Sequence, residues 1–533
     1  MADKAMPSSL LVRMAQHLEQ HGLKREGTLL LCLVALLFRW LVGLHSYSGA
    51  STPPMFGDYE AQRHWMEITL NLPVSDWYFN TTENNLLYWG LDYPPLTAYV
   101  SYAFGAVARV VEPQLVALRA SHGFESPTSK VFMRASVLAC DVLLFIPVIL
   151  WLVRRMGRAQ SWSQKTMTAA VILLQPALLL IDHGHFQYNN VCLGFTALAI
   201  ALLWKDQEFL ASIAFSLALN FKQMALYYAP AVGVYLLSKC IYRANMVLHV
   251  VKLGVAVLLT FGVLWIPFCA FPHAGESCFS SVGQVVHRIF PFARGLFEDK
   301  VANVWCVLDL VVKLKRRVAP ALQMRLCTIS TLIGFLPSII DLLRRKPTRF
   351  RFLLALANSS LSFFLFSFQV HEKTILLPLL PISLLYAWAP LLSTWFSFVS
   401  TFSMYFLLKK DGLIIPYIVL QALFFLAAVR PALSSTAQTV TNLAPGHDAQ
   451  GRPPSVLQYF VLLSTVGTIV IHVAQATITA PARYPHIFDY LFAAYSCGHF
   501  LLALAYCTYW QWTTAGTEPV SAKKKTTQKQ KHE

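Results

Sequence analysis

The stretch TLLLCLVALLFRWLVGLH, residues 28–45, is followed ten residues later by FGDYEAQRHWMEIT, residues 56–69. The first carries a single full charge, Arg39, and as a helix it reaches about 27 Å, close to the apolar thickness of a bilayer. The second crowds Asp58, Glu60, Arg63, His64 and Glu67 into ten residues. An apolar run long enough to cross a membrane therefore delivers the chain to a polar segment at one membrane face.

Apolar runs of this kind recur along nearly the whole chain. Of 533 residues, 56% are hydrophobic and 13% charged, against about 45–50% and about 25% in soluble domains. The runs predict fourteen spans, at 28–45, 134–153, 164–182, 188–204, 208–221, 224–241, 247–271, 322–342, 351–368, 374–389, 391–408, 412–429, 456–474 and 488–511. The fold class expected is an all-α polytopic membrane protein, because helices satisfy their own backbone in lipid. The formal charge of +17 does not indicate a nucleic-acid partner. The basic residues fall in short clusters between spans, at Arg154–Arg155, Arg344–Arg351 and Lys523–Lys525, the pattern of cytosolic loops.

Orientation follows from those charges. HGLKREG (21–27) and SAKKKTTQKQKHE (521–533) are both basic, so both ends are expected in the cytosol. Two further apolar runs, 96–113 and 301–316, should then not cross. KLKRR (313–317) and Lys409–Lys410 are misfits, landing on the opposite side. Residues 1–27 are too polar for a cleavable signal, so the first run serves as an anchor. Lys529 and Lys531 have the spacing of a cytosolic retrieval signal. NTT at 80–82 is a glycosylation sequon, compatible with the lumenal side. The ten cysteines show no metal spacing, and Cys269 and Cys278 are close enough to meet in an oxidising lumen without being bound to pair. Residues 434–455 read as a linker, and no repeat is visible.

Within DYEAQRHWMEITLNL, Ala61, Trp65, Ile68 and Leu72 recur at helical spacing. This predicts an amphipathic helix on the membrane surface with Trp65 at headgroup depth. Asp58 is its candidate N-cap or, alternatively, a catalytic carboxylate. Four other segments reach the same face: LDYPPLT with Asp92, IDHGHFQYNN with Asp182, His183, His185, Gln187, Asn189 and Asn190, NFKQ with Lys222 and Gln223, and FQVHEKTIL with His371, Glu372 and Lys373. Ionisable groups at a membrane are costly and usually functional. Carboxylates beside ammonium and imidazole groups suit a site that removes a hydroxyl proton and holds a phosphate. Asp58, Glu60, His183 and His185 offer ligand atoms, but no run matches a strong metal signature, and no metal or cofactor is expected.

FGDYEAQRHWMEIT, WYFNTTENNLLYWGLDYPPLTAY (77–99), IDHGHFQYNN (181–190), LNFKQMALY (219–227), RGLFEDKVANVWC (294–306) and SFFLFSFQVHEKTILLPLLP (362–381) together resemble the dolichyl-phosphate-glucose-dependent glucosyltransferases of the endoplasmic reticulum. The resemblance runs from about residue 50 to 390 and is nearest to the members that add the first glucose to lipid-linked Man9GlcNAc2. It implies a GT-C fold with lumenal juxtamembrane helices. It divides the chain into a cytosolic segment 1–27, a catalytic region 28–390 with lumenal loops 46–133 and 272–321, C-terminal helices 391–511 and a cytosolic tail 512–533. It implies two partners besides the lipid bilayer: dolichyl phosphate glucose as donor and dolichyl-pyrophosphate-linked oligosaccharide as acceptor. The implied reaction forms an α-1,3 linkage with inversion and without metal. Asp58 matches the family's base. Lys373, His371 and Arg63 are expected at the phosphate, and Asp92, Glu372 and His185 at sugar hydroxyls or behind the base. Glu60, His64, Gln187, Lys222 and Gln223 complete the expected substrate-binding set. The alternatives are the sister enzyme that adds the second glucose and, more distantly, a secondary transporter, which should show mid-membrane charges and internal repeats.

Overall fold

The computed structural model describes residues 9–157, 160–290, 300–433 and 456–514. The retrieval-signal tail, the 434–455 linker, residues 1–8 and residues 294–299 of the RGLFED motif lie outside them. The described residues form helices and connecting turns, with no strand among them. Among the described residues, ten helices are long and apolar enough to cross a membrane: Lys24–Gly43, Pro127–Arg154, Trp162–Phe186, Gln223–Ile241, Met246–Ala270, Pro320–Arg344, Arg349–Phe366, Ile414–Leu433, Val456–Thr477 and Ile487–Thr513. The other four expected spans are shorter or broken helices. Asn189–Leu203 and Glu208–Phe221 are short, Pro390–Ser403 is followed by a separate turn of helix, and the run at 374–389 is interrupted by 3-10 turns.

Apolar surface explains the arrangement. Met246–Ala270 leaves Val247, Leu258, Val263 and Ile266 facing outward, as a lipid-facing helix does. Arg349–Phe366 is buried on all sides by its neighbours, with Phe352, Leu353, Leu354, Ala355 and Leu356 fully covered. The two runs expected not to cross are Pro95–Val111 and Val304–Val312. The latter, at nine residues, reaches about 14 Å as a helix and is too short to span.

The segment after the first span departs from expectation. Asp58–Asn71 is a helix, but not one lying on a surface. Tyr59 to Thr69 are all buried, Trp65 among them. Pro95–Val111 packs along it so closely that a side chain at Gly105 would meet the Met66 carbonyl oxygen at 2.8 Å. Burial of the polar face is made possible by pairing. Arg63 is fully buried and its five N–H groups meet five acceptors: both oxygens of Glu60 at 2.7 Å, Glu67 at 2.8 Å, the Leu115 carbonyl at 2.8 Å and Ser121 Oγ at 2.6 Å. His64 Nδ1 lies 3.0 Å from Glu67, and the Arg119 backbone N–H donates to the same carboxylate at 2.7 Å. Burial alone would raise the Glu67 carboxyl; the His64 hydrogen bond and the Arg63 charge bring it down to about 2. The Tyr88 hydroxyl donates to Glu60 at 2.7 Å, and the Gly123 N–H donates to the same carboxylate at 3.0 Å. The cluster thus ties the helix to the loops at 88 and 115–123.

A second strap covers the first loop. Cys269 and Cys278 do pair, in a disulfide at the end of Met246–Ala270. Inside the disulfide loop His273 bonds Asp76 at 2.9 Å, and beyond it Gln284 donates to the Tyr78 carbonyl at 3.0 Å and Arg288 to the Gly90 carbonyl at 2.9 Å.

Removing one partner of a buried ion cluster strands the others. Arg63→Met should therefore lower stability by about 3–5 kcal/mol. Thermal unfolding in detergent checks this; a variant that melts with the wild type would show that the cluster does not hold the helix.

Candidate active site

Asp58 is the first residue of its helix, not its cap; the capping position is Gly57. The preceding loop crosses the helix start at close range. A side chain at Gly57 would meet Ser48 Oγ at 2.5 Å, and Gly49 has φ +74°. Ser48 links both sides, accepting from the Asp58 N–H at 3.2 Å while its own N–H donates to the His185 carbonyl at 3.0 Å. Asp58 is thereby set beside IDHGHFQYNN.

That second segment is wound to widen and then stop. Leu179–Phe186 has π-helical geometry, Phe186 takes φ +92°, and Gln187 is extended. Such wide turns are common at functional sites. The break lets residues 185 and 187 converge on one carboxylate. His185 Nε2 lies 3.0 Å from Asp58 Oδ2, and Gln187 Nε2 donates to the same oxygen at 2.5 Å. The Lys373 ammonium, on the 3-10 turn Glu372–Ile375, contacts that oxygen as well. Among the described residues nothing donates to Oδ1. The Asp58 side chain is 22% exposed and that of Lys373 18%, so both are reachable from the open side. Burial pushes the Asp58 carboxyl up, but the Lys373 ammonium and His185 outweigh it and hold it well below the usual range. Burial likewise opposes the Lys373 charge, and Asp58 reverses this, raising the ammonium above its usual value.

The remaining candidates divide between the site and its supports. Lys222 stands over the Tyr93 ring at 4.9 Å and donates to Asn189 Oδ1 at 2.6 Å. Gln223 donates to the Asp92 carbonyl at 3.3 Å and the Ile289 carbonyl at 3.2 Å, placing Asp92 on that same flank. His371 and Glu372 precede Lys373 on its turn, half-buried. Asp182, His183, Asn189 and Asn190 turn away from Asp58 into a buried network. Asn189 donates to Asp182 at 2.7 Å, Asn190 to Asp141 at 3.1 Å, and Asp141 also meets His183 at 2.9 Å and the guanidinium of Arg39.

Three of the expected substrate-binding residues are engaged elsewhere. Arg63 has no N–H left for a phosphate, and Glu60 and His64 face into its cluster, not toward Asp58. Asp58, Glu60, His183 and His185 do not converge as metal ligands. The one set at ligand spacing among the described residues is His64, Glu67 and His122, and a cation there would face the Arg63 guanidinium.

One site residue escaped the sequence reading. Asp411 Oδ2 lies 2.6 Å from His185 Nδ1, and its side chain is buried. The signal was present in the misfit Lys409–Lys410, whose KKDG turn (409–412) sits at the Asp58 end of the bundle.

The arrangement is one carboxylate with an oxygen that no described residue donates to, an ammonium group beside it and a second ammonium, Lys222, on its flank, at one end of a bundle of apolar helices. Comparison with known proteins agrees with a transfer chemistry. The sequence pattern of the ALG6, ALG8 glycosyltransferase family matches residues 35–506. The chain is 44% identical to the dolichyl pyrophosphate Man9GlcNAc2 alpha-1,3-glucosyltransferase of Gallus gallus, over 89% of this chain and 94% of that protein. It is 43% identical to a probable enzyme of the same name from Dictyostelium discoideum, over 90% and 93%, and 40% identical to the Saccharomyces cerevisiae enzyme, over 90% and 89%. With nearly the whole chain covered on both sides, the chain belongs to the ALG6, ALG8 glycosyltransferase family, membrane enzymes of the GT-C fold.

Proposed function

We propose that this enzyme transfers glucose from dolichyl phosphate glucose to the terminal mannose of dolichyl-pyrophosphate-linked Man9GlcNAc2, forming an α-1,3 linkage with inversion at the lumenal face of the endoplasmic reticulum membrane. The observation that carries this reading is the Asp58–Lys373 contact, with no donor to Asp58 Oδ1 among the described residues. Inversion in one displacement needs a base on the side of the incoming hydroxyl. The acceptor 3-hydroxyl oxygen forms the new bond to the anomeric carbon, and its proton passes to Asp58 Oδ1. The bond from that carbon to the phosphate oxygen breaks, and its electron pair leaves on dolichyl phosphate. Phosphate is a competent leaving group, so a general acid is dispensable. Lys373 and Lys222 are the cations available to neutralise it. Before donor arrives, Lys373 keeps Asp58 ionised; once Lys373 turns to the phosphate, the carboxylate gains basicity where a base is required.

Three features support the lumenal face. The Cys269–Cys278 disulfide belongs in an oxidising compartment. Asn80 of the sequon is exposed on the loop that the disulfide strap covers. Arg344–Arg351 lies at the opposite end of Arg349–Phe366 from Lys373, about 27 Å away along the helix, as a cytosolic basic cluster requires. The sister reaction, adding the second glucose, would use the same base and cation and differs in the acceptor, so defined acceptors offered to purified enzyme separate the two.

Cysteines placed at 80 and 346 in sealed microsomes test the orientation. Position 346 should label from outside, and position 80 only after permeabilisation; the reverse pattern defeats the lumenal assignment.

Asp58→Asn keeps the side-chain shape but cannot take a proton, so transfer at saturating substrates should fall about 10²–10⁴-fold with donor binding retained. A variant keeping more than about a tenth of the rate would return Asp58 to a structural role. Lys373→Met removes a charge-assisted bond worth about 1.5–3 kcal/mol, so donor use should weaken roughly tenfold to a hundredfold. Normal turnover of Lys373→Met at limiting donor would take the phosphate away from Lys373.

A further inference from the structure

Asp411 belongs to none of the segments that define the site, and it reaches the base only through His185. It occupies the turn between Tyr405–Lys410 and Ile414–Phe424 and is 4% exposed. The turn is rigidly closed: the Leu413 N–H donates to the Leu408 carbonyl at 2.8 Å, the Gly412 N–H to the Lys409 carbonyl at 3.1 Å, and Gly412 takes φ +73°. It is also pressed onto the backbone that carries His185. A side chain at Gly184 would meet Leu413 Cδ1 at 2.9 Å.

The chemistry of the contact sets the imidazole. A carboxylate only accepts, so the hydrogen between Asp411 Oδ2 and His185 Nδ1, 2.6 Å apart, is carried by Nδ1. Nε2 faces Asp58 Oδ2 at 3.0 Å and donates to it with the ring as imidazolium, a hydrogen on each nitrogen between two carboxylates; the Lys373 ammonium stands 3.1 Å from the same nitrogen. Gln187 and Lys373 both reach Oδ2 on flexible side chains, whereas the His185 ring is clamped from behind. The ring plane is therefore the rigid reference for the Asp58 carboxylate, and it determines where Oδ1 points.

We propose that Asp411 is a positioning residue for glucose transfer: acting through His185, it holds the Asp58 carboxylate with Oδ1 presented to the acceptor hydroxyl. This rests on the reading of Asp58 as the base. Asp411 touches no substrate and takes no proton in the step. The proton moves from the acceptor hydroxyl to Asp58 Oδ1, while His185 Nδ1–H stays on Asp411.

The test is steady-state transfer by the full-length enzyme in nanodiscs, with dolichyl phosphate glucose and dolichyl-pyrophosphate Man9GlcNAc2, and with melting temperature measured alongside. Asp411→Ala should lower kcat about tenfold to a hundredfold, since misplacement near 1 Å costs up to about 10²-fold, and leave the donor KM little changed. Asp411→Asn retains an oxygen that accepts from Nδ1–H and should recover most of the loss. Asp411→Glu keeps the charge but shifts the oxygen by one methylene, so it should be slow while well folded, which covers the case of an alanine variant that does not fold. In an Asp58→Asn background, Asp411→Ala should cost nothing further. Wild-type kcat in folded Asp411→Ala or Asp411→Glu overturns the inference. So does a full loss from Asp411→Ala on top of Asp58→Asn, because Asp411 would then act independently of the base. A fully active Asp58→Asn enzyme removes the base reading itself, whereas an inactive Asp58→Asn beside an active Asp411→Ala removes only the positioning role.

Discussion

Asp58 is where distant parts of the chain are forced together by charge. A carboxylate set among apolar helices is costly unless it is met by donors, and its donors come from residues 185, 187 and 373. Residues 185 and 187 close one helix and residue 373 lies on a separate turn, so satisfying one carboxylate aligns the end of the Trp162–Phe186 helix, the Glu372–Ile375 turn and, through His185, the turn at Asp411. The same contacts leave the Asp58 and Lys373 side chains partly exposed at the surface of the site. Structure and chemistry draw on the same pair.

The helix that carries Asp58 illustrates how polar groups are divided. Its first residue faces the site, and from Glu60 onward the polar side chains turn inward to one another. Arg63 suits this second task because its planar fork binds two carboxylates and a carbonyl at once. With every guanidinium N–H occupied, the group is a fastener for the 88 and 115–123 loops. Lys373 and Lys222, single ammonium groups each on a flexible stem, are better fitted to exchange one partner for another. In the proposed reaction, the difference between arginine and lysine separates the scaffold from the reacting groups.

The buried network from Lys222 through Asn189, Asp182 and Asn190 to Asp141 and Arg39 runs beneath the site. It pairs intramembrane charge internally, which is the condition for such residues to persist within apolar spans. It also explains why Arg39, the lone charge in the first apolar run, is tolerated there: its guanidinium meets Asp141 and the Leu173 carbonyl at 2.8 Å.

The sequence by itself determined where the apolar helices lie and their order, because hydropathy is a property of residues adjacent in the chain and needs no partner to be read. It also marked the segments that bear the chemistry, since ionisable residues between apolar runs stand out against an oily background. Asp58, His185, Gln187 and Lys373 were all in those segments. The tertiary structure alone decided which polar groups face one another. Periodicity at Ala61, Trp65 and Ile68 could not distinguish a helix on a surface from one buried in protein, because the partners that bury Arg63 come from residues 115 and 121. Nor could spacing reveal that Cys269 and Cys278 pair, or that a turn holding two misplaced lysines carries the carboxylate behind His185. Hydrogen bonds are short and directional, and their partners here lie from three to 315 residues apart; only the packed bundle brings the right donor within reach of each acceptor.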